Sequence, residues 1–211
     1  MKRAVITAGP TLEAIDPVRF ISNRSSGKQG YALAEALRDA GFEVVLVSGP
    51  TALAEPAGMS VIQVESAREM LAAVEQSLPA DVFIAVAAVA DWRPAEVFDK
   101  KMKGDKGAMK TLALTENPDI LKTISQSAHN RPDLVVGFAA ETHDVLEHAR
   151  AKRARKGCDW IVANDVSGDV MGGSQNAAIV IQADQEIALA RASKDEIAAQ
   201  LAGLIAKALS A

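Results

Sequence analysis

The chain has 211 residues, 49% of them hydrophobic and 4% aromatic, with a formal net charge of −4. That is enough for one sizeable domain with its own core, and the acidic balance with few stacking residues argues against a general nucleic-acid binder. The single cysteine, Cys158, excludes a disulfide framework and fits a reducing, cytoplasmic setting. It follows Gly157 ahead of an apolar run and reads as a small buried hydrophobe. No apolar stretch approaches the ~20 residues of a membrane-spanning helix. "MKRAVITAG" is a charged start followed by a short strand, not a signal peptide.

"AVITAG", from Ala4 to Gly9, predicts a buried strand. Ala32, Leu33, Ala36, Leu37 and Ala40 recur at helical spacing, and Gly41 is a natural stop. "EVVLVSG" (Glu43 to Gly49) is a second strand. Ser66 and Glu69 form a capping box before a helix carrying Met70, Leu71, Val74 and Leu78. "DVFIAVAAVAD" (Asp81 to Asp91) is a third strand ending in small residues, and "TLALTE" (Thr111 to Glu116) is short and strand-like. Asn117 predicts a helix cap, with Pro118 in the first turn. "DLVVGFAAE" (Asp133 to Glu141) is a further strand, then a helix, then "WIVAND" (Trp160 to Asp165). Asn176 to Ala190 reads as a hairpin turning near Asp184-Gln185, and Ser193 with Glu196 caps a final helix to Ala208.

Continuous apolar strands alternating with helices predict an α/β fold: a Rossmann-like parallel sheet covered by helices on both faces, with a C-terminal β-hairpin. Residues 1–211 read as a single domain, without repeats or low-complexity linkers. Such sheets bind ligands at the carboxyl ends of their strands. Here those ends are Gly9 to Thr11, Ser48-Gly49, Ala87 to Asp91, Phe138 to Glu141 and Asn164-Asp165.

The connection after the first strand is anomalous. It runs from Gly9 to Gly27, whereas strand-to-helix loops usually take ~2–6 residues and longer ones are commonly functional. It ends in Ser25-Ser26-Gly27-Lys28 at a helix N-terminus, where free N–H groups and the helix dipole favour an anion. The plainer alternative is that Ser25 or Ser26 only caps the helix. Standard fingerprints do not fit. A Walker-type loop needs glycine where Ser22 stands and Ser or Thr where Gln29 stands. A dinucleotide fingerprint fails because Pro10 and Thr11 follow Gly9, and a short-chain dehydrogenase's Tyr-x-x-x-Lys would need lysine where Glu35 follows Tyr31.

"DKKMKGDKGAMK" (Asp99 to Lys110) holds Lys100, Lys101, Lys103, Lys106 and Lys110 without apolar periodicity. It reads either as a solvated loop or as a lid closing lysines over a polyphosphate. "RAKRARK" (Arg150 to Lys156) predicts a solvated helix with a packing seam on Ala151 and Ala154, or one that adds Lys152, Arg153 or Arg155 to a phosphate site. His129, His143 and His148 lack metal-ligand spacing and read as surface residues; a divalent metal would arrive with nucleotide phosphates.

Taken together, "ITAGPT", "IDPVRFISNRSSGKQGYALAEA", "VSGP", "AVAAVADWRP", "ENPDIL", "VVGFAAET" and "IVANDV" resemble phosphopantothenoylcysteine synthetase. The resemblance covers the chain from its first strand to about Asn176, and "DPVRFISNRSSGK" is its most specific part. It implies a cytoplasmic ligase of coenzyme A synthesis, in many bacteria the C-terminal half of a bifunctional protein; the flavin-dependent decarboxylase half is not in this sequence, so the chain reads as a monofunctional enzyme or an excised synthetase domain. That ligase uses CTP with Mg2+ to activate 4′-phosphopantothenate as an acyl cytidylate, which L-cysteine then captures as an amide. It also implies a homodimer, with no nucleic-acid or membrane partner.

By the same resemblance, Ser25, Ser26 and Gly27 hold nucleotide phosphate and Asn23 contacts the acyl intermediate. Arg19 meets the substrate's phosphate, within its own subunit or across a dimer interface, and Lys101 stabilises charge at the α-phosphate. Ala87, Ala88, Asp91 and Phe138 stand near the nucleoside, Asp91 in a position for a ribose or metal contact; Asn164 is a further candidate. The chain departs from the family pattern at Gly104, where the lysine motif loses its last lysine, at Leu12 and Ala14, and at Ser174. The competing readings are a Rossmann-type NAD(P)-dependent oxidoreductase, for which no hydride-transfer machinery is found, and a non-catalytic nucleotide-binding module, which has no need of Asn23 or the lysines.

Overall fold

The computed structural model describes residues 1–102, 111–141, 144–165, 175–176 and 178–210. The chain opens with β1 (Arg3–Ala8), the short pair β2 (Leu12–Ala14) and β3 (Phe20–Ser22), then α1 (Lys28–Asp39), β4 (Glu43–Ser48) and β5 (Ser60–Gln63). Next come α2 (Ala67–Ser77), β6 (Val82–Ala85), β7 (Trp92–Pro94), β8 (Leu114–Glu116), α3 (Ile120–Ser125) and β9 (Leu134–Glu141). The rest is α4 (Val145–Lys156), β10 (Trp160–Asp165), β11 (Gln175–Asn176), β12 (Ala178–Ile181), β13 (Glu186–Ala188), β14 (Ala192–Ser193) and α5 (Lys194–Ala208).

The main sheet has eight strands in the order β13-β12-β10-β9-β6-β1-β4-β5. From β10 to β5 every pairing is parallel, and β12 and β13 join antiparallel as a hairpin closed by Gln182 and Gln185. The parallel strands wind outward from β1 in both directions, the doubly wound arrangement. Strand alternation divides the core between two faces. Ala4, Ile6 and Ala8 of β1 pack with α1 and α5, while Val5 packs on the other face with α2, α3 and α4 residues such as Met70, Ile124 and Ala149. Fully covered side chains such as Ile6, Leu33 and Phe83 each stabilise the fold by roughly 1.5–3 kcal/mol. Gly30 sets how closely α1 lies on β1, because a Cβ there would come within 2.5 Å of the Ala8 Cβ.

Both predicted capping boxes form, at Ser66/Glu69 and Ser193/Glu196. Glu13 adds a tie from β2, accepting the Ala67 N–H at 3.0 Å and anchoring the β2–β3 pair to the start of α2. Four features differ from expectation. The strand expected over 81–91 ends at Ala85, where its pairing with β9 stops; beyond it the chain stays beside the loop after β1, and the Thr7 and Thr11 hydroxyls take the Ala87 and Ala90 N–H groups that ladder carbonyls would otherwise accept. The helix expected to start at Asn117 is capped instead by Asp119, whose carboxylate accepts the Lys122 N–H at 3.0 Å. On α4, Ala151 and Ala154 are exposed and Ala149 makes the buried contact. His148 is half-buried rather than on the surface, while His129 is exposed and His143 lies outside the described residues. Cys158 is buried as expected, and burial pushes its thiol up to about 11. No helix among the described residues is long and apolar enough to cross a membrane.

Candidate functional site

The winding direction changes between β1 and β6, so the loops leaving their carboxyl ends diverge and leave a crevice. Two buried threonines shape it. Thr7 Oγ1 accepts the Ala87 N–H at 3.3 Å and Thr11 Oγ1 accepts the Ala90 N–H at 3.0 Å. An isolated parallel bridge between Pro10 and Ala88 continues the pairing beyond the sheet. The loop after β1 is therefore fastened to the loop after β6.

The long connection holds the β2–β3 pair and returns to the crevice through Asn23. Its Nδ2 donates to the Ala88 and Val89 carbonyls at 3.3 and 3.0 Å. Ser25 and Ser26 are exposed, and the residue at the N-cap of α1 is Gly27, with φ +75° and no side-chain capping bond. The simple capping alternative for the serines thus does not hold. The first-turn amides of α1 remain open to an anion. Gly27 is required twice over, by its left-handed φ and because a Cβ would sit 2.7 Å from the Thr51 Cγ2. Behind it, Thr51 Oγ1 donates to the Tyr31 hydroxyl at 3.3 Å, which lies 3.0 Å from the Ser48 Oγ.

Beside this loop lies a cavity of about 490 Å³. Of the residues predicted near a nucleoside, Ala87, Asp91 and Phe138 line it; Ala88 does not, being occupied with Pro10 and Asn23 at the edge. The cavity wall also carries Asn117, Asp119, Lys152 and Lys156. Asn117 Nδ2 donates to the Ala90 carbonyl at 2.8 Å, and Lys152 Nζ donates to the Phe138 carbonyl at 2.7 Å. Lys156 is paired with Asp119. Burial pushes the Asp119 carboxyl up, but the Lys156 ammonium and the Lys122 N–H outweigh it and hold the group below the usual carboxylate range. Among the described residues no cluster of His, Cys, Asp and Glu is preassembled for a metal.

Sequence reasoning missed Asn117 and Asp119 as site residues, and it left Lys156 outside the candidate phosphate residues of "RAKRARK". The signal for the first two was their place in "ENPD", directly before the short α3. Asn164 is half-buried on β10, and its Oδ1 has no partner among the described residues. Arg19 and Lys101 stand outside the cavity. Both are exposed, and Asp16 accepts hydrogen bonds from Arg19 and from the N–H of Met102, the residue after Lys101. The Arg19 guanidinium, followed by backbone N–H groups, holds the Asp16 carboxyl well below the usual range against the opposing effect of burial. Lys103, Lys106 and Lys110 lie outside the described residues, as do Gly104 and Ser174.

The fold and site define a doubly wound α/β protein with a helix N-terminus that no side chain caps and a cavity at the carboxyl ends of its central strands. The model of the DNA/pantothenate metabolism flavoprotein C-terminal domain family matches residues 1–209, and the chain belongs to this family. It is 45% identical over 208 residues to the coenzyme A biosynthesis bifunctional protein CoaBC of Vibrio cholerae serotype O1, covering 97% of this chain and 52% of the relative. It is 50% identical over 181 residues to the Bacillus subtilis protein of the same name, covering 85% and 44%. The chain thus spans about half the length of the curated relatives it matches. The crystal structure of the C-terminal domain of coenzyme A biosynthesis bifunctional protein CoaBC superimposes with a TM-score of 0.83 at 43% identity, covering 99% of this chain and 96% of that one.

Proposed function

We propose that residues 1–211 form one phosphopantothenate–cysteine ligase domain that uses CTP and works in the cytoplasm. The observation that carries the reading is the fastening of Asn23 to the loop that walls the cavity, four residues before the uncapped start of α1 at Gly27. Kinship with the CoaBC C-terminal domain supports it.

In this reading the nucleoside occupies the cavity, where backbone groups near Ala87 and Phe138 meet the base and Asp91 meets the ribose or the metal. Ser25, Ser26 and Gly27 hold phosphate at the α1 N-terminus, and Lys101 supplies charge at the α-phosphate. The substrate carboxylate attacks the α-phosphorus, the bond to pyrophosphate breaks, and an acyl cytidylate forms. The cysteine amine then attacks the acyl carbon, CMP leaves, and an amide remains. Arg19 takes the phosphate of phosphopantothenate. Asn23 holds the loop beside the acyl group, and one of its amide hydrogens is the donor for the growing carbonyl charge once it leaves its backbone acceptor. Such a donor contributes roughly 3–4 kcal/mol.

Asp91 is the residue that would hold Mg2+. One carboxylate completed by substrate phosphates is a usual magnesium arrangement, so the donor set fits. Bound there, the ion would neutralise phosphate charge and improve pyrophosphate as a leaving group. The homodimer belongs to the same reading. Val18, Phe20, Trp92, Val97, Leu112 and Leu114 are exposed on the β2–β3 and β7–β8 hairpins and their connections, an apolar surface suited to a second copy.

The deciding experiment supplies CTP, magnesium and phosphopantothenate, follows pyrophosphate, and then adds cysteine. Pyrophosphate release followed by amide formation is expected. Release no greater than in a control without phosphopantothenate would sink the reading, and running ATP in parallel tests the nucleotide.

A further inference from the structure

The steps above leave one buried carboxylate without a task. Asp16 sits in the turn between β2 and β3 with its side chain fully covered, 0% exposed. Its Oδ1 accepts the backbone N–H groups of Val18 and Arg19, both at 2.9 Å, which closes the turn. An asparagine would serve that purpose equally well. Its Oδ2 does something else: it accepts Arg19 Nε at 2.9 Å, Arg19 Nη2, and the Met102 N–H at 3.1 Å. Arg19 Nη2 also donates to the Met102 carbonyl at 3.0 Å. The backbone of Met102 is thereby gripped at both its N–H and its C=O, immediately after Lys101.

We propose that Asp16 is a positioning residue for the ligase reaction, a latch that sets the Arg19 guanidinium and the backbone beside Lys101 in one fixed relation. The inference rests on the ligase reading and deepens it. Nε and Nη2 of Arg19 are committed to the latch, while Nη1 has no partner among the described residues and the side chain is 47% exposed. The latch therefore presents one edge of the guanidinium outward in a set direction, the geometry that oxyanion recognition requires. The group that grips the substrate's phosphate and the lysine that meets the nucleotide are then placed by the same carboxylate. A second tie, from Phe98 N–H to the Ile15 carbonyl at 3.0 Å, holds the same two segments together.

Charge and positioning act with opposite signs at Asp16. Neutralising Asp16 raises the positive potential around Arg19 and would tighten phosphate binding if charge alone mattered. Loss of the latch frees the guanidinium and weakens binding.

In the full chain, Asp16→Asn keeps the Oδ1 acceptor but turns an amide NH2 toward Arg19 and Met102. The expected result is a rise of about tenfold in KM for phosphopantothenate with a smaller change in KM for CTP. In an Arg19→Ala background the same substitution should add nothing to KM. A KM that is unchanged or lower, or effects that simply multiply, would overturn the latch. Arg19→Lys, a change on an exposed side chain, tests it again without touching the buried group; it keeps the charge but loses the fork, and should raise the same KM. Amide exchange gives a readout independent of activity. The Met102 N–H should exchange faster in Asp16→Asn than in the unsubstituted chain, and equal protection overturns the proposal. If the unsubstituted chain releases no pyrophosphate, the ligase reading fails, while Met102 exchange still decides the latch.

Discussion

Asn23 Nδ2 lies 3.0 Å from the Val89 carbonyl oxygen, joining the long loop after β1 to the loop after β6. Asn23→Asp would place a carboxylate oxygen against that carbonyl and against Ala88, removing both the tie and the donor. Turnover to the amide should fall by about 100-fold or more, the scale of one lost oxyanion donor. KM for CTP should change far less, because the cavity wall formed by Asp91, Asn117 and Phe138 is untouched. Single-turnover assays of cytidylate formation and of cysteine capture separate the half-reactions. Unchanged capture would remove Asn23 from the chemistry.

The α1 cradle depends on backbone geometry that only Gly27 provides. Gly27→Ala incurs a left-handed backbone cost of roughly 1–2 kcal/mol and places a Cβ 2.7 Å from Thr51 Cγ2. A lower thermal midpoint and a raised KM for CTP are expected. Adding Thr51→Ser removes the methyl contact but not the strain, so the midpoint should recover in part. Complete recovery would show that sterics, not φ, is the requirement.

Long, strongly patterned elements were legible in the sequence because periodicity and caps agree. The β1 and β4 runs, the capping boxes of α2 and α5, and the hairpin near Asp184 all fall where residue pattern predicts. β5 was not legible: Ser60–Gln63 is an edge strand with exposed and half-buried residues and no apolar run. β2, β3 and β7 have three residues each and are specified by long-range ties such as Glu13 to Ala67, which no local window contains. At Asn117 the cap signal was real but misassigned. The side chain serves Ala90 and Arg93, and Asp119 takes the cap. The basic run on α4 announced charge but not direction. Which lysine faces the cavity follows from helix phase, set by burial of Ala149.

Phe20 and Leu114 lie on the two hairpins, 56% and 47% exposed, and β2 packs beside β7. If a second copy covers this surface, Phe20→Asp should shift the chain from dimer to monomer in light scattering. Its thermal midpoint should stay nearly unchanged when measured at low, monomeric concentration, because an exposed side chain contributes little to the isolated fold. Equal molar masses for both proteins would move the interface elsewhere or remove it.

The Asp16 latch also predicts how stability responds to acid. The Arg19 guanidinium first, and then backbone N–H groups, hold the folded-state carboxyl well below its ordinary value of 3.8. A depressed carboxylate stabilises the fold at pH above the unfolded value and loses that contribution as pH falls toward the folded value. The gap in thermal midpoint between the unsubstituted chain and Asp16→Asn should therefore be constant from pH 7 to about 5 and narrow below 3.8. Asp119, Glu69 and Glu196 are also depressed and will destabilise both proteins in acid. They are common to the pair, so the difference isolates Asp16. A gap that stays constant down to pH 3 would mean that Asp16 holds the turn by shape and not by charge, and that the Arg19 contact adds nothing an asparagine lacks.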